Sequence, residues 1–320
     1  MKARQTPGPL SCFSLAAWAL MILLALTAGC SWVSRTTESV MTYFESTDTN
    51  LVKRVCLLPP ETAVKELEKT TRQWVPQIKQ AMSQAPGLKM VPFAKFNQAV
   101  AALPSRIRGS EERIIAAGRR LGLNAIIAAQ VVDLSLDNRL EGIIGFRDNT
   151  DFLGLEANLR IYDVASGTVL VQDTLRPEVE VDSITATNMR QGQAAPQELV
   201  DALVVELTKN AREWIIKSIS AQPWAGFILA VKGDKVQVTV GQDTGFGEGA
   251  VVVAYGKGEK LRSGAGTILY LPGPPVAHLR LTEIGPETSW ALATPVITKK
   301  DKEKKAEATP LEPGMVVRSH

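Results

Sequence analysis

Lys53-Arg54-Val55-Cys56-Leu57-Leu58-Pro59-Pro60 is an unbroken apolar run that follows two basic residues and stops at two prolines. Without polar alternation, it reads as a strand buried on both faces, and the proline pair ends its ladder. Downstream, Val64, Leu67, Trp74, Ile78 and Met82 recur near helical spacing, with Thr62, Lys65, Lys69 and Arg72 on the polar side. Residues 61–85 are therefore expected to form a helix, broken or kinked at Pro76 and stopped by Pro86-Gly87. Residues 88–91 read as a second short strand. Helices follow at 94–102 and 110–121, the latter opened by Ser110-Glu111-Glu112 and closed by Gly122.

Residues 124–136 begin almost continuously apolar, as a strand covered on both faces does. Residues 155–164 and 169–181 alternate and are joined by Ala165-Ser166-Gly167, the pattern of a hairpin. Residues 137–154, with Gly142, Gly145 and Gly154, either extend that hairpin or form a mobile loop. From Pro196 to Ile219, Leu199, Leu203, Val204, Leu207, Ala211, Trp214, Ile215 and Ile219 fall on one side of a long docked helix. Beyond residues 222–226 the pattern changes to short β-branched runs at 227–231, 235–240, 250–255, 267–270, 276–283, 290–296 and 315–318. Residues 299–305 read as a solvated loop. The expected fold class is α+β: an N-terminal α/β sandwich with a mixed sheet (51–221), then a small all-β SH3-like barrel (222–320).

Upstream, Lys2 and Arg4 precede an apolar run from Leu15 to Leu26, of signal-peptide length and short for a membrane span. It ends in Leu26-Thr27-Ala28-Gly29-Cys30, which resembles the lipobox of bacterial lipoproteins, with Thr27 where that family prefers leucine. The resemblance implies a leader of residues 1–29, lipidation at Cys30 and a Ser/Thr-rich tether over 30–50. Ser31 differs from the aspartate that resembles an inner-membrane retention signal, so the implied address is the periplasmic face of the outer membrane. The tether reaches roughly 60 to 70 Å fully extended.

Two further stretches carry a family likeness. Lys53 to Pro59, Leu121 to Ile127 and Leu159 to Leu170 resemble a periplasmic α/β module. That module is found in the TolB amino-terminal domain, the curli-secretion lipoprotein and the middle domain of flagellar assembly protein T. Val236 to Gly249, followed by Val251 to Tyr255, is similar to the C-terminal domain of the flagellar family. The likeness covers roughly residues 51–320 and implies a non-enzymatic component of an envelope ring. The chain departs from that family in lacking room for its additional N-terminal domain and in its lipobox.

Chemistry is scarce in the sequence. The formal charge of +3 over 320 residues falls to about +1 without the leader, which argues against nucleic acid. Cys12 lies in the leader and Cys30 is the lipid site, so Cys56 remains as a lone buried thiol and no internal disulfide forms. His278 and His320 are too isolated for a metal site. Gly245-Phe246-Gly247-Glu248-Gly249 reads as a turn, because a strand follows it where a dinucleotide loop needs a helix. Glu61, Glu66 and Glu68 with Lys65 and Lys69 read as a solvated helix face. Asp133, Asp137, Asp148 and Asp151 lack the short spacing of a calcium loop, and His278 sits among apolar residues, poorly placed for a Ser-His-Asp triad.

No catalytic residue, cofactor or metal is expected. Candidate partner contacts are Ile143, Ile144 and Phe146, rimmed by Arg139, Glu141, Arg147 and Asp148, and Trp224, which otherwise packs the domains together with Trp214. The sequence supports an outer-membrane lipoprotein acting as an adaptor for a periplasmic or flagellar assembly, with a homo-oligomer among its states. The alternatives are a curli-type secretion channel inserting residues 134–159, where Arg139, Glu141, Arg147 and Asp148 oppose lipid contact, or an activator of a peptidoglycan synthase.

Overall fold

The computed structural model describes residues 51–104, 107, 110–143, 146–262, 268–296 and 309–319. The leader, the tether with Cys30, Ile144 and the whole of the 299–305 loop lie outside them. The first layer is a mixed sheet. Strands β1 (Lys53–Leu57), β3 (Leu88–Met90) and β4 (Ala125–Ile143) are parallel in the order β3-β1-β4. Strands β5 (Phe146–Asp163) and β6 (Thr168–Leu175) continue it antiparallel. Two short strands complete it: β2 (Glu61–Thr62) beside β4, and β7 (Glu178–Val181) beside β5.

Both faces of β1 are covered, as its unbroken apolar run requires. Val55 and Leu57 point to a core shared with helix α1 (Glu68–Ser83) and helix α5 (Gln197–Ser220). Cys56 points the opposite way, into a core with helices α2 (Phe93–Ala101) and α3 (Ser110–Leu121). A short helix α4 (Ser183–Arg190), capped by the Asp182 carboxylate accepting from the Ile184 and Thr185 amides at 3.0 Å, joins the first face.

The second layer is a closed, six-stranded antiparallel barrel in the order β10-β11-β12-β9-β8-β13. Its strands are β8 (Ala225–Lys232), β9 (Lys235–Val238), β10 (Val251–Arg262), β11 (Ile268–Ile284), β12 (Ser289–Pro295) and β13 (Val316–Ser319). The described residues of the sheet, its helices and the barrel belong to one compact unit.

Several expectations are corrected. The first helix begins at Glu68, after β2 and a 3-10 turn at Lys65–Leu67. It is not broken at Pro76, which lies on the exposed side, so the Arg72 carbonyl it orphans can face water. Residues 169–181 are two strands, interrupted at Arg176-Pro177. The separate runs at 267–270 and 276–283 belong to the single strand β11; its prolines at 272, 274 and 275 fall where its register against β10 shifts. Helix α4 was not anticipated, because only Ala186 on it is fully buried and its apolar period is weak. Residues 137–154 extend the hairpin: β4 and β5 pair from Ala125 opposite Asp163 out to Ile143 opposite Phe146.

The seam between sheet and barrel is built by the residues that open β1. Leu51 is buried in the barrel core, and the Val52 amide donates to the Thr244 carbonyl at 3.0 Å. The Lys53 ammonium donates to three carbonyls at the end of α5: Ile219 at 2.9 Å, Ser220 at 3.1 Å, and Gln222. The Ile219 carbonyl also accepts from the Gln222 amide at 3.1 Å, and a cation at this helix end meets the negative end of the helix dipole. The Arg54 guanidinium forks onto the Asp243 carboxylate, with Nε at 3.0 Å, and its Nη1 donates to the carbonyls of Thr239 at 3.1 Å and Glu287 at 2.9 Å. Asn124 bridges the layers, accepting from the Arg54 amide at 3.0 Å and donating to the Ala225 carbonyl at 3.0 Å. On the other side, Arg119 of α3 donates to the Val164 and Ala165 carbonyls and lies 4.1 Å from the centroid of the barrel's Tyr270 ring.

Candidate functional site

The sheet is covered unequally. On one face, α1, α4 and α5 follow it along most of its length. On the other, α2, α3 and barrel strand β8 cover only the end carrying Cys56, Ile126 and Tyr162. Past Ala128 this second face carries polar side chains and, among the described residues, no helix lies over it.

At its covered margin is a groove of about 340 Å³, lined by Leu58, Pro59, Ile114, Ala128, Gln130 and Arg160 among others. Arg160 organises the floor: its Nε donates to Gln172 Oε1 at 3.0 Å and its Nη1 to the Tyr162 hydroxyl at 3.2 Å. The Tyr162 hydroxyl in turn donates to Glu111 at 3.5 Å, a long contact. Thr174 donates to Asn158 Oδ1 at 2.6 Å on the neighbouring strands.

Farther along the same face, Arg139 forks onto Glu178, at 2.7 and 2.5 Å, and lies over the Phe152 ring at 5.5 Å. Arg176 bridges Asp137 and Ser135. Hydrogen bonding from Arg139 holds the Glu178 carboxyl below its usual range. The arrangement is a mixed-charge, hydrogen-bonded surface with a groove of mixed polar and apolar lining at one margin.

The residues singled out in the sequence are dispersed. Asp137 pairs with Arg176, and Asp151 accepts from Asn138 and Arg190, so each is engaged with an arginine of its own chain rather than grouped with the other. The Asp148 side chain lies outside the described residues. Among the described residues no group of three or more His, Cys, Asp or Glu is placed to hold a metal. Glu68 pairs with Arg72 one turn on, at 3.0 Å. Gly245 and Gly249 take positive φ, 89° and 79°, and the chain enters β10 directly, so this segment is a turn.

Of the candidate contacts, Ile143 and Phe146 are backbone partners at the far end of the β4–β5 hairpin; their side chains, and Ile144 altogether, lie outside the described residues. Trp224 is corrected. It is only 2% exposed, packed in the barrel core edge-on to Phe246 at 4.8 Å, and it offers no surface to a partner. Trp214 packs against the sheet core instead. The basic pair Lys53-Arg54 escaped functional notice; its signal was two cations at the mouth of a strand too apolar to be exposed. Among the described residues no helix is long and apolar enough to cross a membrane.

No family model matches this chain, and no curated protein matches it. Bacterial lipoproteins stand among the solved structures it resembles in part. A minor lipoprotein from Acinetobacter baumannii is 12% identical, covering 52% of this chain and 93% of its own at a TM-score of 0.28. Lipoprotein GNA1162 from Neisseria meningitidis is 14% identical, covering 44% and 94% at a TM-score of 0.28. The LpoB C-terminal domain from Escherichia coli is 10% identical, covering 44% and 93% at a TM-score of 0.28.

Proposed function

We propose that this chain is a non-enzymatic, lipid-anchored adaptor on the periplasmic face of the outer membrane, presenting its uncovered sheet face to an envelope assembly. The observation that carries the reading is that face: Arg160, Gln172, Arg139, Glu178 and Asp137 form an ion-paired, hydrogen-bonded surface on a sheet whose other side is packed. The Leu26–Cys30 lipobox supplies the anchor, and a tether raises local concentration so that modest contacts suffice. The domain plan is a leader (1–29), a lipidated tether (30–50), the α/β domain (51–221) and the barrel (222–320). The sequence likeness to flagellar assembly protein T makes the basal-body ring the assembly to test first, and the SH3-like assignment of the barrel rests on sequence alone.

The test is recovery of the acylated chain from envelopes after cross-linking. Basal-body components are expected with the wild type and lost in an Arg160→Glu/Arg139→Glu variant that still folds. Cys30→Ser is expected to leave the membrane fraction. Recovery of the chain alone, or a Cys30→Ser chain still in the membrane with full function, overturns the reading.

A further inference from the structure

Among the described residues, strand β4 has an edge that no other strand pairs with beyond Val131. β2 reaches it only at Gln130 and Val131, and from Asp133 onward its described pairing is with β5 alone. The Leu155 amide donates to the Pro177 carbonyl at 3.1 Å, on the side away from β4. Leu134, opposite Leu155, is therefore not in a hydrogen-bonded pair of the β4–β5 ladder. The register runs unshifted from there to Ile143. By the alternation of an antiparallel ladder, Leu134, Leu136, Asn138 and Leu140 turn their N–H and C=O groups outward, towards the open edge.

The side chains along this edge are patterned. Leu134, Leu136, Asn138 and Leu140 point to the helix-covered face, where Leu140 is 63% exposed. Asp133, Ser135, Asp137, Arg139 and Glu141 point to the uncovered one. Charges on an edge strand ordinarily keep two edges apart. Here their signs and spacing do the opposite in one arrangement.

We propose that this edge pairs antiparallel with the same edge of a second copy, about a two-fold axis at Asn138. Asp137 of each copy, already held by Arg176, then lies opposite Arg139 of the other, already held by Glu178, so the two ion pairs join into one network twice over; Leu136 lies opposite Leu140, also twice. The outward backbone groups of residues 136, 138 and 140 meet each other, continuing the sheet through both molecules. Moving the axis by one residue destroys the match: at Asp137 it sets Asp137 against itself, and at Arg139 it sets Arg139 against itself and Asp137 against Glu141. Like charges directly opposite are destabilising. Moving it by two towards Leu136 drives Glu141 onto Val131, where β2 already sits, and moving it by two towards Leu140 shortens the overlap. Such a contact is isologous and closes at two copies. It stands whether or not Cys30 carries lipid.

The test uses the full-length chain in sedimentation velocity. Wild type is expected as a dimer. Asp137→Arg and Arg139→Asp, each checked for native circular dichroism, should weaken self-association roughly tenfold or more, because each sets like charges opposite one another at two places. An equimolar mixture of the two variants should dimerise again, since every Arg at these positions then faces an Asp of the other chain. With Cys12 and Cys30 replaced by serine, Asn138→Cys should form an intermolecular disulfide on oxidation and Ser135→Cys should not. A monomeric wild type, single variants that dimerise as well as wild type, a mixture that fails to associate, or Ser135→Cys cross-linking as readily as Asn138→Cys overturns the proposal.

Discussion

Arg54 in the first strand of the sheet and Asp243 in the barrel form a forked ion pair across the seam, with side-chain exposures of 5% and 12%. Removing one partner of such a pair leaves a buried charge without its counterion. Asp243→Ala is therefore expected to lower stability by about 3 kcal/mol, read as a shift in the urea midpoint. The sign with pH is fixed. Burial pushes the Asp243 carboxyl up, but Arg54 and Lys89 more than offset this and hold it below its usual range. A carboxyl depressed in the folded state contributes fully above its unfolded pKa and loses that contribution as pH falls through its folded value. The gap between wild type and variant should therefore be constant near neutrality and close in acid.

Lys53 predicts the opposite pH window. Burial lowers its ammonium to about 8 from an ordinary 10.5. Between those values the unfolded chain holds a proton that the folded chain has released, so stability rises with pH. Lys53→Met removes the titration. Denaturant midpoints between pH 7.5 and 10 should rise for wild type relative to the variant, by up to about 3 kcal/mol. A parallel pH dependence in both proteins contradicts this account.

Cys56 is fully buried between the sheet and α2, and burial raises its thiol to about 12. Thiolate is the reactive form. At pH 8 the native chain should leave Cys56 unmodified by iodoacetamide, and modification should follow unfolding, as mass spectrometry across a urea series would show.

Gly122 ends α3 at a φ of 65°, and a Cβ there would stand 2.5 Å from Thr239 Cβ in the barrel. Gly122→Ala combines left-handed strain with a clash across the seam. It is expected to cost roughly 2 to 3 kcal/mol, more than the helix-terminus strain alone. Measured against Thr239→Gly alone, which removes the clashing Cβ and hydroxyl, adding Gly122→Ala should still cost about the same if the strain dominates and much less if the clash does; thermal melts separate the two.

Much of this architecture is legible in the chain. The helix at Ser110–Leu121 matches its acidic first turn and its closing glycine. Gln197–Ser220 matches its apolar stripe to within a residue or two. The turn at 165–167 falls between β5 and β6 as the alternation implies. These features depend on spacing along a few turns or residues, which the sequence displays directly. Whether Trp224 packs inside or anchors a partner is left open by the sequence, because a tryptophan at a domain boundary suits both roles. The indole is drawn into a barrel that closes around it from strands far along the chain.

The order and kind of most elements follow from the sequence alone, since periodicity, caps and turns are local properties. What each polar residue does was decided in three dimensions. Lys53 and Arg54 are adjacent, yet one ends the long helix and the other ties the sheet to the barrel, because successive side chains leave a strand in opposite directions. Among the described residues, the sheet face without a helix over it and the unpaired edge of β4 likewise follow from where the helices pack. Which surfaces remain exposed depends on contacts between distant parts of the chain, and no spacing along the sequence encodes that.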